Sequence, residues 1–258
     1  MSLIVALSIV LASSVTAGAA GLLVHRHVHV ELRRRHNEIG TAVFLQLGVI
    51  FAVLLAFVFS EVWNQYNDAA NAVQLECSAL QGAAVLASSL PLSEGLPILE
   101  GEQKYVDSVI HHEWAQMSSA RNEDFESANR LVGLIQVIAR YKPSNLADLG
   151  TRQQLLTFLE QANTERSDRL FQTASGVPSL LWCLLIGFGS VLAIFVTLAG
   201  VENGGALISF SMTFAAAVAA ILVLIQLLDY PFEGALALGP QPFVVAAAKL
   251  GAMIRMMH

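Results

Sequence analysis

Hydrophobic and polar positions divide this chain into four long hydrocarbon runs and one long polar stretch. The runs lie at residues 3–24, 41–60, 179–200 and 206–228. Each approaches the roughly 20 apolar residues that a helix needs to cross a bilayer. They form two hairpins around a polar section at 61–176, and a tail follows at 229–258. The first run also offers small-residue cleavage sites in TAGAAG, residues 16–21. No Lys or Arg precedes it, however, so the basic segment of a signal peptide is missing and it reads as an anchor.

Within the polar section the period is helical. Residues 69–90 continue the second run without a break and end at Pro91, and the segment PLSEGLP at 91–97 reads as a loop. A helix is predicted over 102–117, where Val106, Ile110 and Trp114 recur every fourth position. Another spans 122–141 with Phe125, Leu131, Leu134, Ile135 and Ile138, and stops before Pro143. A last one begins at Asp148 or Thr151, runs to 173, and carries Leu155, Leu156, Leu159 and Leu170. No strand-like alternation occurs. The predicted class is an all-α integral membrane protein: a transmembrane hairpin at 1–60, a helical extramembrane domain at 61–176, a second hairpin at 177–228 and a tail broken by Pro231, Pro240 and Pro242.

Composition supports the bilayer. Hydrophobic residues make up 55% of the chain and charged ones 13%, against about 25% in soluble domains. The net charge of −6 argues against nucleic acid as partner, because phosphate binding requires clustered cations. Cys77 and Cys183 have no metal-type spacing and read as small buried apolar residues. Gln226 and the small residues at 215–220, Gly187 and Gly189 suit close helix packing.

The second run carries the most informative pattern. Val49, Val53 and Phe57 are four residues apart and share one helix face. One turn further on, the helix reaches Glu61, Asn64, Gln65 and Asp68. Copies around an axis would place apolar rings at a neck and acids and amides in a vestibule beyond it. Hydrophobic constrictions gate by dewetting, and carboxylate rings favour cations. Equally, the apolar face could meet lipid while Glu61 sits among headgroups.

Other chemistry is thin. His111, His112 and Glu113 are adjacent, so their side chains diverge around a helix instead of converging on a metal. No phosphate loop, nucleophile elbow or paired catalytic carboxylates can be found, so neither an enzyme nor a cofactor is expected. The segment HRHVHVELRRRH, His25 to His36, would suit a pH sensor, because histidine is the residue type used for such switches. The segment fits better as a loop at anionic headgroups. Arg26, Arg33, Arg34 and Arg35 in that short loop argue for a cytoplasmic position. Arg166, Arg169, Lys249 and Arg255 argue the other way.

The run AFVFSEVWNQYNDAANAV at 56–73 resembles the bestrophin signature at the end of the second transmembrane helix. LDYPFEGALALGPQPF at 227–243 resembles the Asn-Pro-Phe-Gly motif after the last bestrophin span. Nearly the whole chain is similar to a bacterial and plant family described as bestrophin-like. The likeness lies in the Arg-rich first loop, VWNQYNDAANAV, the HEW segment around Trp114, and DYPFEG followed by PQPF. The resemblance implies a pentameric ion channel with neck residues Val49, Val53 and Phe57. It also implies a helical domain in the cytoplasm, against the arginine count. Two departures stand out: Gly-Phe is Ala56-Phe57, and ALALG at 235–239 replaces the acidic calcium-binding stretch, so no calcium clasp is expected. The expected protein is a homo-oligomeric channel of the inner membrane, contacting ions, lipids and its own copies and weakly favouring cations. The alternative is a non-conducting scaffold or sensor whose helical domain binds a partner.

Overall fold

The computed structural model describes residues 1–35, 37–143 and 145–257, and all regular structure among them is helical. In order, the helices are α1 (Leu3–His27), α2 (Val30–Arg35), α3 (Asn37–Ser88), α4 (Leu92–Ser108), a π-helical turn at Val109–Glu113, α5 (Trp114–Ala120), α6 (Phe125–Arg140), α7 (Leu146–Ala174), α8 (Ser179–Thr197), α9 (Gly204–Leu228) and α10 (Gln241–Met257). Four of them, α1, α3, α8 and α9, are long and apolar enough to cross a membrane. The chain divides into two compact units, one of residues 1–64 with 176–229 and one of residues 65–175 with 230–258.

In the first unit α1 and α9 run antiparallel, in contact through small residues. A Cβ on Gly18 would lie 2.7 Å from Cγ of Met212, and one on Gly21 would lie 3.3 Å from Oγ of Ser211. Such close approach suits a bilayer, where packing and hydrogen bonds replace the hydrophobic drive between helices. Ser14 Oγ donates to the Met212 carbonyl at 3.2 Å. A Cβ on Gly189 of α8 would meet Val218 of α9, whereas one on Gly187 would meet nothing within 4 Å among the described residues. The two hairpin loops meet at one end of the unit, where Arg33 Nη1 donates to the Ala199 carbonyl at 2.7 Å. Asn203 caps α9 there by accepting from the amides of Gly205 and Ala206. At the other end Asp229 accepts from the Val177 amide at 2.8 Å, joining the end of α9 to the approach to α8. Cys183 lies exposed on α8 in the single chain, contrary to the expectation of burial; only Cys77 is buried.

The second unit holds an extensive hydrophobic core built from the distal part of α3, from α4 to α7, and from the tail. Residues 91–97 correct the predicted loop. Pro91 is the N-cap of α4, which starts ten residues before the helix expected at 102. Pro97, the sixth residue of α4, forfeits one backbone bond inside the helix, yet the helix continues past it. Gly95 is required there: a Cβ would stand 2.2 Å from the Ala87 carbonyl oxygen. The helix expected at 102–117 is also not uniform. The π turn at Val109–Glu113 widens it, so Glu113 and Trp114, neighbours in sequence, are both buried while Ile110 is only partly so. Asp124 caps α6 by accepting from the Ser127 amide at 2.9 Å, and Asn145 caps α7 through the Asp148 amide at 2.9 Å. In the tail, α10 packs on α4 and buries Phe243, Ala246 and Leu250.

Candidate functional site: the long helix and a buried ion cluster

Helix α3 presents two opposed faces. It seats in the first unit through Phe44, Phe51, Val58 and Val62. Phe44 meets the rings of Phe195 and Phe214 at centroid distances of 6.4 and 6.0 Å. Phe51, Val58 and Val62 are buried. At about 100° per residue, these four lie about 180–220° round the helix from Val49. Val49, Val53 and Phe57 fall within about 80° of one another on the opposite side. All three are exposed in the single chain, Phe57 at 73%. Along the same helix Glu61, Asn64 and Asp68 are exposed and Gln65 is half-buried. Gln65 is thus turned partly away from the other three.

Sequence reasoning did not find the strongest electrostatic feature of the molecule, which lies in the second unit. Arg169 of α7 is completely buried. Its Nε donates to Glu76 Oε2 at 2.9 Å, and its Nη2 donates to Glu113 Oε2 at 2.9 Å and Glu76 Oε1 at 3.3 Å. Arg166, one turn earlier, pairs with the other oxygen of Glu113 and lies 3.7 Å from Glu123. Tyr105 donates to Glu76 Oε1 at 2.5 Å. Two guanidinium groups thus meet the two buried carboxylates Glu76 and Glu113, which come from α3 and the π turn. Burial pushes the Glu76 carboxyl upward, and Arg169 and the Tyr105 hydroxyl oppose it. Burial also raises the Tyr105 phenol well above its ordinary range, and lifts the neighbouring Cys77 thiol to about 12, so Cys77 is an inert core residue.

The aromatic residues quoted from the sequence motifs gather around this cluster. Trp114 meets Phe232 edge-on at 5.5 Å and Phe243 at 5.8 Å, and donates from Nε1 to the Leu238 carbonyl at 3.2 Å. The Arg169 guanidinium lies 5.6 Å from the Trp114 ring and 5.4 Å from the Phe243 ring. Tyr66 donates to the Leu236 carbonyl at 3.0 Å. Arg121 grips Glu233 with two hydrogen bonds and stacks 3.4 Å from the Tyr230 ring centroid. Within the second unit, Tyr66, Trp114, Tyr230, Phe232, Glu233 and Phe243, each from one of these motifs, thus all make contacts to residues of the tail or from it.

The cluster bears on two sequence readings and corrects the second. Glu113 stands apart from His111 and His112, which are exposed, while it is buried against two arginines. Arg166 and Arg169 are not cations at a membrane surface either: both are buried in ion pairs, so they leave the charge count that opposed a cytoplasmic first loop. Their i, i+3 spacing on a helix otherwise rich in leucine was the available signal. Of the histidine-rich loop, His36 lies outside the described residues.

Glu102 on α4 makes a contrast. It is fully buried, and neither carboxylate oxygen has a hydrogen-bond partner among the described residues. Burial alone raises its carboxyl well above 4.5. The folded state thus holds this proton where the unfolded chain releases it, so stability falls as pH rises from about the ordinary carboxylate range through the elevated folded value. Glu102→Met will therefore flatten the fall and raise stability at alkaline pH by about 1–3 kcal/mol, the usual cost of an unsatisfied buried polar group. Thermal midpoints across pH 5–9 would check this; an unchanged slope would contradict it.

The comparisons with known proteins agree in fold. The chain is similar to two crystal structures of a bacterial bestrophin homologue from Klebsiella pneumoniae, each carrying one substitution. The first has a TM-score of 0.72 at 15% identity, covering 97% of this chain and 98% of that one. The second has a TM-score of 0.72 at 14% identity, covering 95% and 99%. A further crystal structure, described only as a membrane protein, has a TM-score of 0.71 at 13% identity, covering 96% and 98%. No curated protein matches the sequence. The model of the bestrophin-like domain matches residues 11–243, and over that length the chain belongs to the bestrophin-like family.

Proposed function

We propose that this protein is a homo-oligomeric, pentameric ion channel of the inner membrane, with α3 of each subunit lining the path. The observation that carries this reading is the division of α3 into opposed faces. Phe44, Phe51 and Val58 join it to its own bundle, while Val49, Val53 and Phe57 are left without cover in the single chain. Family membership supports the same reading, since the solved relatives of this fold are described as bestrophin homologues. Apolar rings at the three positions form the neck and resist wetting until they part. Glu61, Asn64, Gln65 and Asp68 line the vestibule, where the two carboxylates attract cations. The protein binds ions instead of transforming a substrate.

Current through planar bilayers containing the purified protein tests the proposal. In a salt gradient the reversal potential will lie on the cation side. Glu61→Gln with Asp68→Asn will move it toward the anion potential. A current-free preparation, or a monomeric or dimeric particle, would instead favour a scaffold with no pore.

A further inference from the structure

A groove of about 440 Å³ opens at the loop end of the first unit, where α1, α3 and α8 end or begin. That is the size of an ordinary small-ligand site. Its wall is mostly hydrocarbon, with Leu32, Phe44, Phe195 and Val196 prominent beside Asn37 and Thr41, and among the described residues Arg33 is its one charged lining residue. Arg33 is only 7% exposed. Its Nη1 is satisfied by the Ala199 carbonyl, but its buried Nε has no partner among the described residues. No described carboxylate pairs with it, since Glu202 is taken by Arg34 at 2.6 Å. A buried guanidinium held by a single carbonyl is costly unless an anion completes it. Apolar walls beside it would suit a hydrocarbon chain.

We infer that this groove binds one anionic phospholipid, its phosphate on Arg33 and one acyl chain along the Phe44–Phe195 wall. The position fits, because the groove lies at the ends of apolar spans, at the level of lipid headgroups. The chemistry fits as well: a guanidinium fork matches phosphate oxygens, and Arg26 and Arg35, close by in the sequence, draw an anionic surface toward it. A free fatty acid offers the same anionic head and single chain, but a weaker match to the fork. The inference is independent of whether the protein conducts.

Native mass spectrometry of the purified oligomer would test it. Protein is equilibrated with equal phosphatidylglycerol and phosphatidylcholine of matched chains, with palmitate added in a separate arm. The unaltered protein will retain phosphatidylglycerol in preference to phosphatidylcholine, up to one per subunit. Arg33→Gln, which can still donate to the Ala199 carbonyl, will abolish the preference. Gly40 lines the groove and a Cβ there meets nothing within 4 Å among the described residues, so Gly40→Leu will fill it and lose both lipids. Should that variant fail to assemble, Val196→Phe fills the opposite wall to the same end. Equal retention of the two lipids, displacement by equimolar palmitate, or unchanged retention in the filled variants would each overturn the inference. So would a crosslink between subunits from Phe44→Cys, which would mean that a second copy covers the groove.

Discussion

Replacing Arg169 with methionine will lower the thermal midpoint of the purified protein by about 6–20 °C, reflecting a loss of about 3–5 kcal/mol. Methionine fills much of the volume, so packing is not the main cost. The cost arises because Glu76 and Glu113 stay fully buried and lose the guanidinium that bonds both. Of the two buried carboxylates Arg166 pairs with Glu113, so Glu76 is left with the Tyr105 hydroxyl. Arg169→Lys will recover part of the loss, because a point charge replaces one carboxylate contact but not the fork that serves two. Arg130→Met, which breaks a surface pair with Glu126, will change the midpoint little. Trp114 fluorescence provides a local signal, since its ring packs beside Arg169. A midpoint for Arg169→Met equal to that of Arg130→Met would show that the cluster contributes nothing to stability.

The second large effect is expected on current. Phe57→Ala will raise the open-channel current severalfold and shorten closed intervals. Phe57 is the bulkiest of the three uncovered residues and 73% exposed, so truncating it leaves no cavity in the subunit. Stability should therefore hold while the proposed neck widens and wets more easily. Phe51→Ala, on the buried face of the same helix, serves as the opposite control: it will cost about 3–5 kcal/mol of stability. Its effect on current at matched assembly will be smaller. Single-channel recording beside thermal melts separates the two. Equal currents in Phe57→Ala and the unaltered protein would remove Phe57 from the path.

Local pattern carried the coarse architecture because its signals are intrinsic to short segments. Twenty apolar residues span hydrocarbon whatever surrounds them, and an unbroken run after Phe57 continues as helix because nothing local stops it. Residues 91–97 depart from their local pattern for the converse reason. Two prolines and a glycine read as a break locally, whereas the chain turns at Pro91, and Gly95 lets α4 pass against the Ala87 carbonyl. Only packing decides that. The π turn is equally invisible, since one widened turn leaves no compositional trace but rotates Glu113 and Trp114 inward together.

The sequence by itself determined the four spans, the all-helical class, the family motifs and the apolar spacing of Val49, Val53 and Phe57. Each rests on neighbours within a few turns, or on composition. Tertiary structure alone decided that Glu76, Glu113, Arg166 and Arg169 form one buried cluster, that Arg33 borders an apolar groove, and that Glu102 lies bare in the core. Charge pairing depends on distance in space. Glu76 and Arg169 are 93 positions apart along the chain, and no periodicity reports that they touch.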